Sequence, residues 1–315
     1  MPVTALAGGV GAGKFLRGVA RVIDPADLTV VVNTGDDMVL HGLHLSPDLD
    51  SVTYWLADVA DRERGWGRRG ETFRAMDELR RIGGQSWFAL GDTDLATHLA
   101  RTELLWQGIP LSAVTEQITR ALQVSCRVIP MTDDRVETRI DAVDEAGGPL
   151  DLHFQEYWVA RGARDEVKGV RYEGADRAVP APGVIEAVTQ ADAVLICPSN
   201  PVASIAPILA VPAIADALRE RDGGVSGVSP IVGGAPLGGM ADRLMPSAGL
   251  EVTALGAASA YRGLCSGFVI DERDAALSSR IESDLRMRVA VTDTVMTDDA
   301  AAERVARTAL ELAAG

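Results

Sequence analysis

Residues 29–54 read TVVVNTGDDMVLHGLHLSPDLDSVTY. The apolar run Val30, Val31 and Val32 predicts a buried strand, because a short, unbroken β-branched run suits a parallel sheet covered on both faces. It empties into Asn33-Thr34-Gly35-Asp36-Asp37, and Pro47-Asp48-Leu49-Asp50 follows. Asp36, Asp37, Asp48 and Asp50 therefore fall within fifteen residues, beside His41 and His44, at the mouth of the strand. In open α/β sheets ligands collect at the carboxyl ends of strands. Clustered carboxylates there suit a hard cation such as magnesium, which prefers oxygen ligands. Loops after strands also carry Asp and Gly for turns and caps. Two acidic pairs bracketing one short segment favour a metal or polar-substrate site over that plainer reading.

Upstream, Val3 to Ala7 is a second apolar run, ending in Gly8-Gly9-Val10-Gly11-Ala12-Gly13-Lys14. Phe15, Leu16, Val19, Ala20, Val22 and Ile23 then recur at helical spacing. A strand, a glycine turn and a helix N-terminus in that order make an anion cradle, since bare N–H groups and the helix dipole both favour a phosphate. Gly8-x4-Gly13-Lys14 has Walker A spacing, but Phe15 stands where a magnesium-binding Ser or Thr belongs, and no G-x-G-x-x-G register closes. A generic phosphate cradle is expected. The alternative is a glycine turn serving only tight strand-to-helix packing.

Downstream, Ser51 to about Gln123 turns helical, with Val52, Trp55, Leu56 and Val59 on one face. Asp94 reads as the N-cap of a helix that carries His98 and Arg101 on one side. Trp66, flanked by glycines and arginines, suits recognition of a flat heterocycle. From Ser125 to Tyr172 alternation replaces helical spacing, and Glu145-Ala146-Gly147-Gly148-Pro149 signals a hairpin. Thr132-Asp133-Asp134-Arg135 reads as a turn. The doubly wound rhythm then returns: a short helix at Pro182–Val188, a buried strand at Ala193–Cys197 ending in Pro198-Ser199-Asn200-Pro201, and strands at Val225–Ile231 and Arg286–Val291. A final helix runs from Asp298 to Ala313. The expected architecture is a single Rossmann-like α/β domain, doubly wound on a mainly parallel sheet. Its core is residues 1–50 and 175–315, with a helical insertion over 51–123 and a small antiparallel β unit over 124–174.

Composition narrows the function. A hydrophobic fraction of 47% is ordinary for a globular chain, and a net charge of −15 disfavours nucleic acid, whose phosphates need a basic surface. Three separated cysteines argue against a disulfide framework or zinc site. No signal-peptide pattern or membrane-length apolar run is visible, so a cytoplasmic protein without a membrane partner is expected.

Several motifs, in this order, resemble the 2-phospho-L-lactate transferases of deazaflavin coenzyme F-420 biosynthesis and their phosphoenolpyruvate-using relatives. They are GGVGAGKFLRG at Gly8, NTGDDMVLHGLHLSPDLDSVTY at Asn33, RGWGRRGETF at Arg64 and LGDTDLATHLARTELL at Leu90. HFQEYWV at His153, PSNPVASIAPIL at Pro198 and SPIVGGAPLGGMAD at Ser229 complete the set. The resemblance implies a magnesium-dependent transferase, homodimeric in many members. It moves a phospho-lactyl or phospho-enolpyruvyl group from a guanosine diphosphate-activated three-carbon acid to the ribityl hydroxyl of deazaflavin Fo, releasing GMP. It further implies that Asp37 and Asp50 coordinate the metal and address the Fo hydroxyl, supported by Asp36 and Asp48. Gly9, Gly11 and Lys14 would cradle the donor phosphates, with Asn33 in the adjoining motif also addressing substrate. Ser199 and Asn200, in a loop ordered by Pro201, would meet the guanosine, and Asp92, His98 and Arg101 would line the Fo side. Three departures stand out: the family commonly reads GGVGGAK at the glycine turn, many members have an arginine where Thr93 stands, and the family carries lysines near Ala235 and Gly238. The competing readings are a non-catalytic nucleotide-binding sensor and a P-loop-like NTPase.

Overall fold

A computed structural model describes residues 1–315. Seven parallel strands build the central sheet: β1 (Val3–Ala7), β2 (Leu28–Val32), β5 (Arg127–Pro130), β9 (Ala193–Ile196), β10 (Gly224–Val228), β13 (Gly267–Ile270) and β14 (Arg288–Val291). Their spatial order is β14-β13-β10-β9-β1-β2-β5. The chain starts mid-sheet at β1, winds outward through β2 to β5, then returns to the opposite flank of β1 with β9. The winding direction reverses between β1 and β9, which is where open α/β sheets bind ligands. This is the Rossmann-like, doubly wound architecture read from the sequence.

The apolar strands are buried because helices cover both faces. Leu6 and Val31 point into one core layer, and Val3, Ala5, Ala7, Val30 and Val32 point into the other, with the period of two that a pleated strand imposes. Helix α1 (Gly9–Val22) covers the second layer together with the C-terminal helix Asp299–Ala314. The two helices approach so closely at Gly18 that a β-carbon there would strike the Ala302 backbone.

Between β2 and the rest of the sheet lie a hairpin and four helices: β3 (Met38–Leu40), β4 (Leu43–Leu45), α2 (Pro47–Leu56), α3 (Arg74–Arg81), α4 (Asp92–Trp106) and α5 (Leu111–Ala121). The hairpin was not anticipated. Its two-residue turn is His41-Gly42, with φ of 54° and 77°, the paired left-handed conformation that matches strand twist. Histidine at the first of these positions carries no hairpin signal as clear as Asn-Gly. It also leaves His41 exposed at the tip, away from any chemistry. Helix α2 starts at Pro47, ahead of the expected boundary at residue 51, because proline suits the first helical turn. Asp48 and Asp50 therefore stand on a helix and not in a loop.

The antiparallel unit is smaller than expected. Arg127–Pro130 pairs parallel with β2 as the sheet edge, and only β6 (Glu137–Val143), β7 (Pro149–His153) and β8 (Glu166–Glu173) form the separate sheet, in the order β7-β6-β8. Alternation cannot distinguish an edge strand of the main sheet from a strand of a neighbouring one. The Asp144 carboxylate takes the N–H groups of Ala146 and Gly148, closing the hairpin turn. A hairpin of β11 (Ile231–Val232) and β12 (Ala235–Pro236) follows β10. No single helix is long and apolar enough to cross a membrane.

Candidate active site

The loops after β1 and β9 meet at the switch point. Gly8 N–H points at Ser199 Oγ at 3.4 Å, and a β-carbon on Gly11 would lie 2.5 Å from the Pro198 carbonyl oxygen. One on Gly13 would lie 2.6 Å from the Trp55 ring. These glycines are there because backbone and neighbours come too close for a side chain, and Gly9, at φ +73°, also needs the left-handed region. Packing thus accounts for much of the glycine turn. An anion role is additional to it.

Asp48 is the acidic residue that reaches this turn. Its carboxylate accepts from Asn33 Nδ2 at 2.9 Å and lies near the Gly9 N–H and the Ser204 hydroxyl. Burial pushes its carboxyl up to about 6, while Asn33, the Gly9 amide and the Ser204 hydroxyl hold it lower than burial alone would. Asn33 also donates to the Ala203 carbonyl at 3.3 Å and accepts from Gly35 N–H at 2.8 Å, so its whole amide is committed to joining three loops. Asn200 Oδ1 takes the N–H groups of Val202 and Ala203. The residues from Pro201 to Ile205 then form a single π-helical turn that delivers Ser204 to Asp48. Lys14 lies one turn into α1, 5.8 Å from the Trp55 ring centroid, with no carboxylate in ion-pair range.

Asp36 and Asp37 stand at the end of β2. Asp36 Oδ2 accepts from Gln155 Nε2 at 2.7 Å and Asp37 Oδ2 from Ser46 Oγ at 2.6 Å, whereas the Oδ1 atom of each is buried without a partner. Burial, then the charges of Asp48 and Asp37, push the Asp36 carboxyl well up. Burial likewise raises Asp37, with Asp50 and Asp48 adding to it against the bond from Ser46 and the charge of Arg101. The antiparallel unit braces this loop, since Gln155 holds Asp36, His153 Nε2 lies 3.1 Å from the Asp37 carbonyl oxygen, and Thr138 N–H donates to the Gly35 carbonyl.

Asp50 has a different setting. Both its oxygens receive the Arg101 guanidinium, Oδ2 from Nη1 at 3.0 Å and Oδ1 from Nη2. Arg101 Nη1 also lies 3.2 Å from His98 Nδ1, and His98 Nε2 lies 3.3 Å from Asp94 Oδ2. Tyr54 O–H completes the chain by donating to Asp94 Oδ1 at 2.5 Å. Spacing of three and four along α4 brings Asp94, His98 and Arg101 to one face, as expected for His98 and Arg101. Asp50 is thus an ion-pair partner and not an open metal ligand.

The capping of α4 differs from expectation. Gly91 is its N-cap, and the Glu71 carboxylate takes the N–H groups of Thr93 and Asp94. Asp94 lies inside the first turn, which frees it to meet Tyr54 and His98. Asp92 turns back and caps α3, accepting from the N–H groups of Arg74 and Ala75 and from Thr72 Oγ1. Trp66 is 42% exposed, with the Arg64 guanidinium 5.0 Å from its centroid, and Arg68 lies 5.6 Å from the Tyr54 ring.

The fold therefore joins Gly9, Gly11, Asn33, Asp48, Ser199 and the Asn200-Pro201 turn at the switch point of the sheet. Asp36 and Asp37 adjoin it, and Asp50, His98 and Arg101 form a paired cluster next to them. No three of the carboxylates and histidines make a ready metal cage. Magnesium rarely has one, however, because it is usually held by one or two carboxylates plus waters and substrate phosphates. Two unpartnered, buried carboxylate oxygens in a group crowded with negative charge fit that chemistry. Sequence reading missed Ser46, Tyr54, Asp94 in this role, Gln155 and Ser204, none of which carries a local signal for it.

The family model described as 2-phospho-L-lactate transferase CofD matches residues 3–311. Proteins named phosphoenolpyruvate transferase from Streptomyces griseus and Streptomyces coelicolor are each 47% identical over 315 residues, spanning 99% of this chain and 98% of their own. One of the same name from Mycolicibacterium smegmatis is 43% identical, with 99% of each chain covered. A crystal structure of a UPF0052-family protein from Bacillus halodurans has the same fold, with a TM-score of 0.65 at 16% identity over 98% of both chains.

Proposed function

We propose, from the premise that this chain belongs to the 2-phospho-L-lactate transferase CofD family, that it is a phospho-group transferase of coenzyme F-420 biosynthesis. Its reaction moves a phospho-enolpyruvyl or phospho-lactyl group from a guanosine diphosphate-activated donor to the ribityl hydroxyl of Fo, with GMP leaving. The names of its bacterial relatives favour the enolpyruvyl donor. The observation that carries the reading is the cluster of Asp36, Asp37 and Asp48: buried carboxylate oxygens, mutually repelling, short of positive charge, with Asp48 reaching the N-terminus of α1.

In this reading Asp37 holds a divalent cation with Asp36 in support, and Asp48 orders the glycine turn through Gly9. When bound, magnesium supplies charge neutralisation on the donor diphosphate. Lys14 and the first amides of α1 take up the negative charge that grows on the departing GMP phosphate. Ser199 and Asn200, at the switch point, mark the side toward which the guanosine would lie, and Trp66 with Arg64 offers a flat platform to the deazaflavin ring. Asp50, gripped by Arg101, suits an orienting role toward the Fo hydroxyl better than a proton-accepting one. In-line attack on phosphorus needs mainly such positioning. Cytoplasmic location and a homodimer belong to the same proposal, and light scattering reads the latter.

The P-loop NTPase reading has no support at its diagnostic position, because Phe15 is fully buried in the core under β1 and offers no hydroxyl to a metal. The test is mass spectrometry of the product formed from Fo and each activated three-carbon donor, with and without magnesium. A product carrying the three-carbon phosphate, formed only with the metal and lost in Asp37→Asn, bears the proposal out. Release of inorganic phosphate from GTP or ATP with no adduct on Fo would sink it.

A further inference from the structure

A cleft of about 720 Å³ lies at the opposite end of the sheet, where β10, β13 and β14 begin. Strands of four to five residues separate it from the carboxyl ends by roughly 13–17 Å, and it shares no lining residue with the candidate active site. Four arginines line it (Arg219, Arg221, Arg262 and Arg286) against one acidic residue, Asp284. On a chain of net charge −15 this is a local inversion of sign.

Helix ends explain only part of it. Three helices, Pro212–Glu220, Ala254–Ser259 and Ser278–Leu285, finish at this edge, and arginines commonly compensate the negative pole there. Arg219 is also paired with Asp216 at 2.7 Å, and Asp284 lies 3.9 Å from Arg280. Arg221 donates to the carbonyls of Val188, Ala191 and Gly224, so its charge is hydrogen-bonded but meets no carboxylate. Arg262 and Arg286 are exposed and their guanidiniums have neither an ion pair nor a hydrogen bond, although Glu220, Asp222 and Glu282 are close in sequence. Two of the carbonyls that Arg221 holds, those of Val188 and Ala191, end a fourth helix, Val184–Gln190, so Arg221 compensates that end, and Arg262 and Arg286 are the two guanidiniums left without a partner. Guanidiniums present forked donors that match the planar or tetrahedral oxygens of carboxylates and phosphates. The cleft also has the volume of small-molecule sites.

We infer that this arginine cleft is a second binding site, for a small multivalent anion carrying phosphate or carboxylate groups, held by Arg221, Arg262 and Arg286. The inference does not depend on the proposed reaction. Titration calorimetry on the full chain with inorganic pyrophosphate and with citrate, at constant ionic strength, tests it. The variant Arg262→Gln/Arg286→Gln is compared with Arg135→Gln/Arg177→Gln, which removes equal charge from side chains 85% and 84% exposed elsewhere. The contrast between the two variants reads the cleft even if pyrophosphate also binds at the candidate active site. Affinity at least tenfold weaker in the cleft variant, with the control within twofold of the parent, is expected for one anion or both, and which one responds identifies the headgroup chemistry. Equal affinities in the two variants, or no saturable binding of either anion, overturns the proposal. So does a change of oligomeric state confined to the cleft variant, which would make the face a contact between copies.

Discussion

Two groups of carboxylates from one short stretch of chain end up in opposite electrostatic states. Asp50 is neutralised on both oxygens by Arg101, and the chain of contacts runs on through His98 and Asp94 to Tyr54. Asp36, Asp37 and Asp48, nearby, face one another with amide and hydroxyl donors but no partner cation, and their carboxyls are raised. A buried ion pair costs little once both charges are present but a great deal when one is deleted. A buried acidic group without a cation stays costly until a proton or a metal arrives. The first cluster is therefore architecture, clamping α2 to α4, and the second is the part that the proposed function assigns to a ligand.

The comparison can be broken at its strongest point. Arg101→Ala leaves Asp50 buried and unpaired, and is expected to cost about 3–5 kcal/mol in denaturant unfolding. A loss under 1 kcal/mol would mean that the pair does not clamp the helices. Asp37→Asn is expected to act the other way, lowering turnover by about a hundredfold, on the order of 3 kcal/mol in the barrier, while unfolding stability without metal stays level or rises. If it unfolds the protein instead, Asp37 belongs with the architecture.

The third test is pH. The folded Asp48 binds its proton more tightly than an ordinary aspartate, about 6 against 3.8. The folded state then holds more protons on Asp48 than the unfolded one between those values, so the Asp48 contribution to metal-free stability should fall as pH rises from 3.8 to about 6, with the raised carboxyls of Asp36 and Asp37 adding losses of the same sign. Magnesium should recover stability at pH 7.5 and do little at pH 5, where protons compete for the same oxygens. Melting temperatures at the two pH values, with and without the cation, read this directly, and equal increments would contradict it. The smallest expected effect is at Glu71, which caps α4 from outside both clusters. Glu71→Ala should cost about 1 kcal/mol in unfolding and leave the metal dependence of turnover unchanged.

Much of this was legible in the chain. Unbroken β-branched runs, each followed by a glycine or small polar turn, predict the parallel sheet and the end at which the loops gather, because strand burial on both faces leaves its mark on every residue. His98 and Arg101 sharing a face follows from helical spacing alone. The hairpin at His41-Gly42 was not legible, since its turn conformation is adopted by a residue that rarely announces it. The edge strand Arg127–Pro130 was assigned to the wrong sheet because alternation records exposure and not the neighbour.

By itself, the amino-acid sequence determined the sheet, the loops that gather at its switch point and the presence of four acidic side chains there, all of which depend on short-range periodicity and turn chemistry. Only the tertiary structure decided which acid is neutralised and which is not. Arg101 arrives from 51 residues beyond Asp50 and Gln155 from 119 beyond Asp36. Charge pairing acts through space over a few ångströms, and the local order of residues holds no record of it.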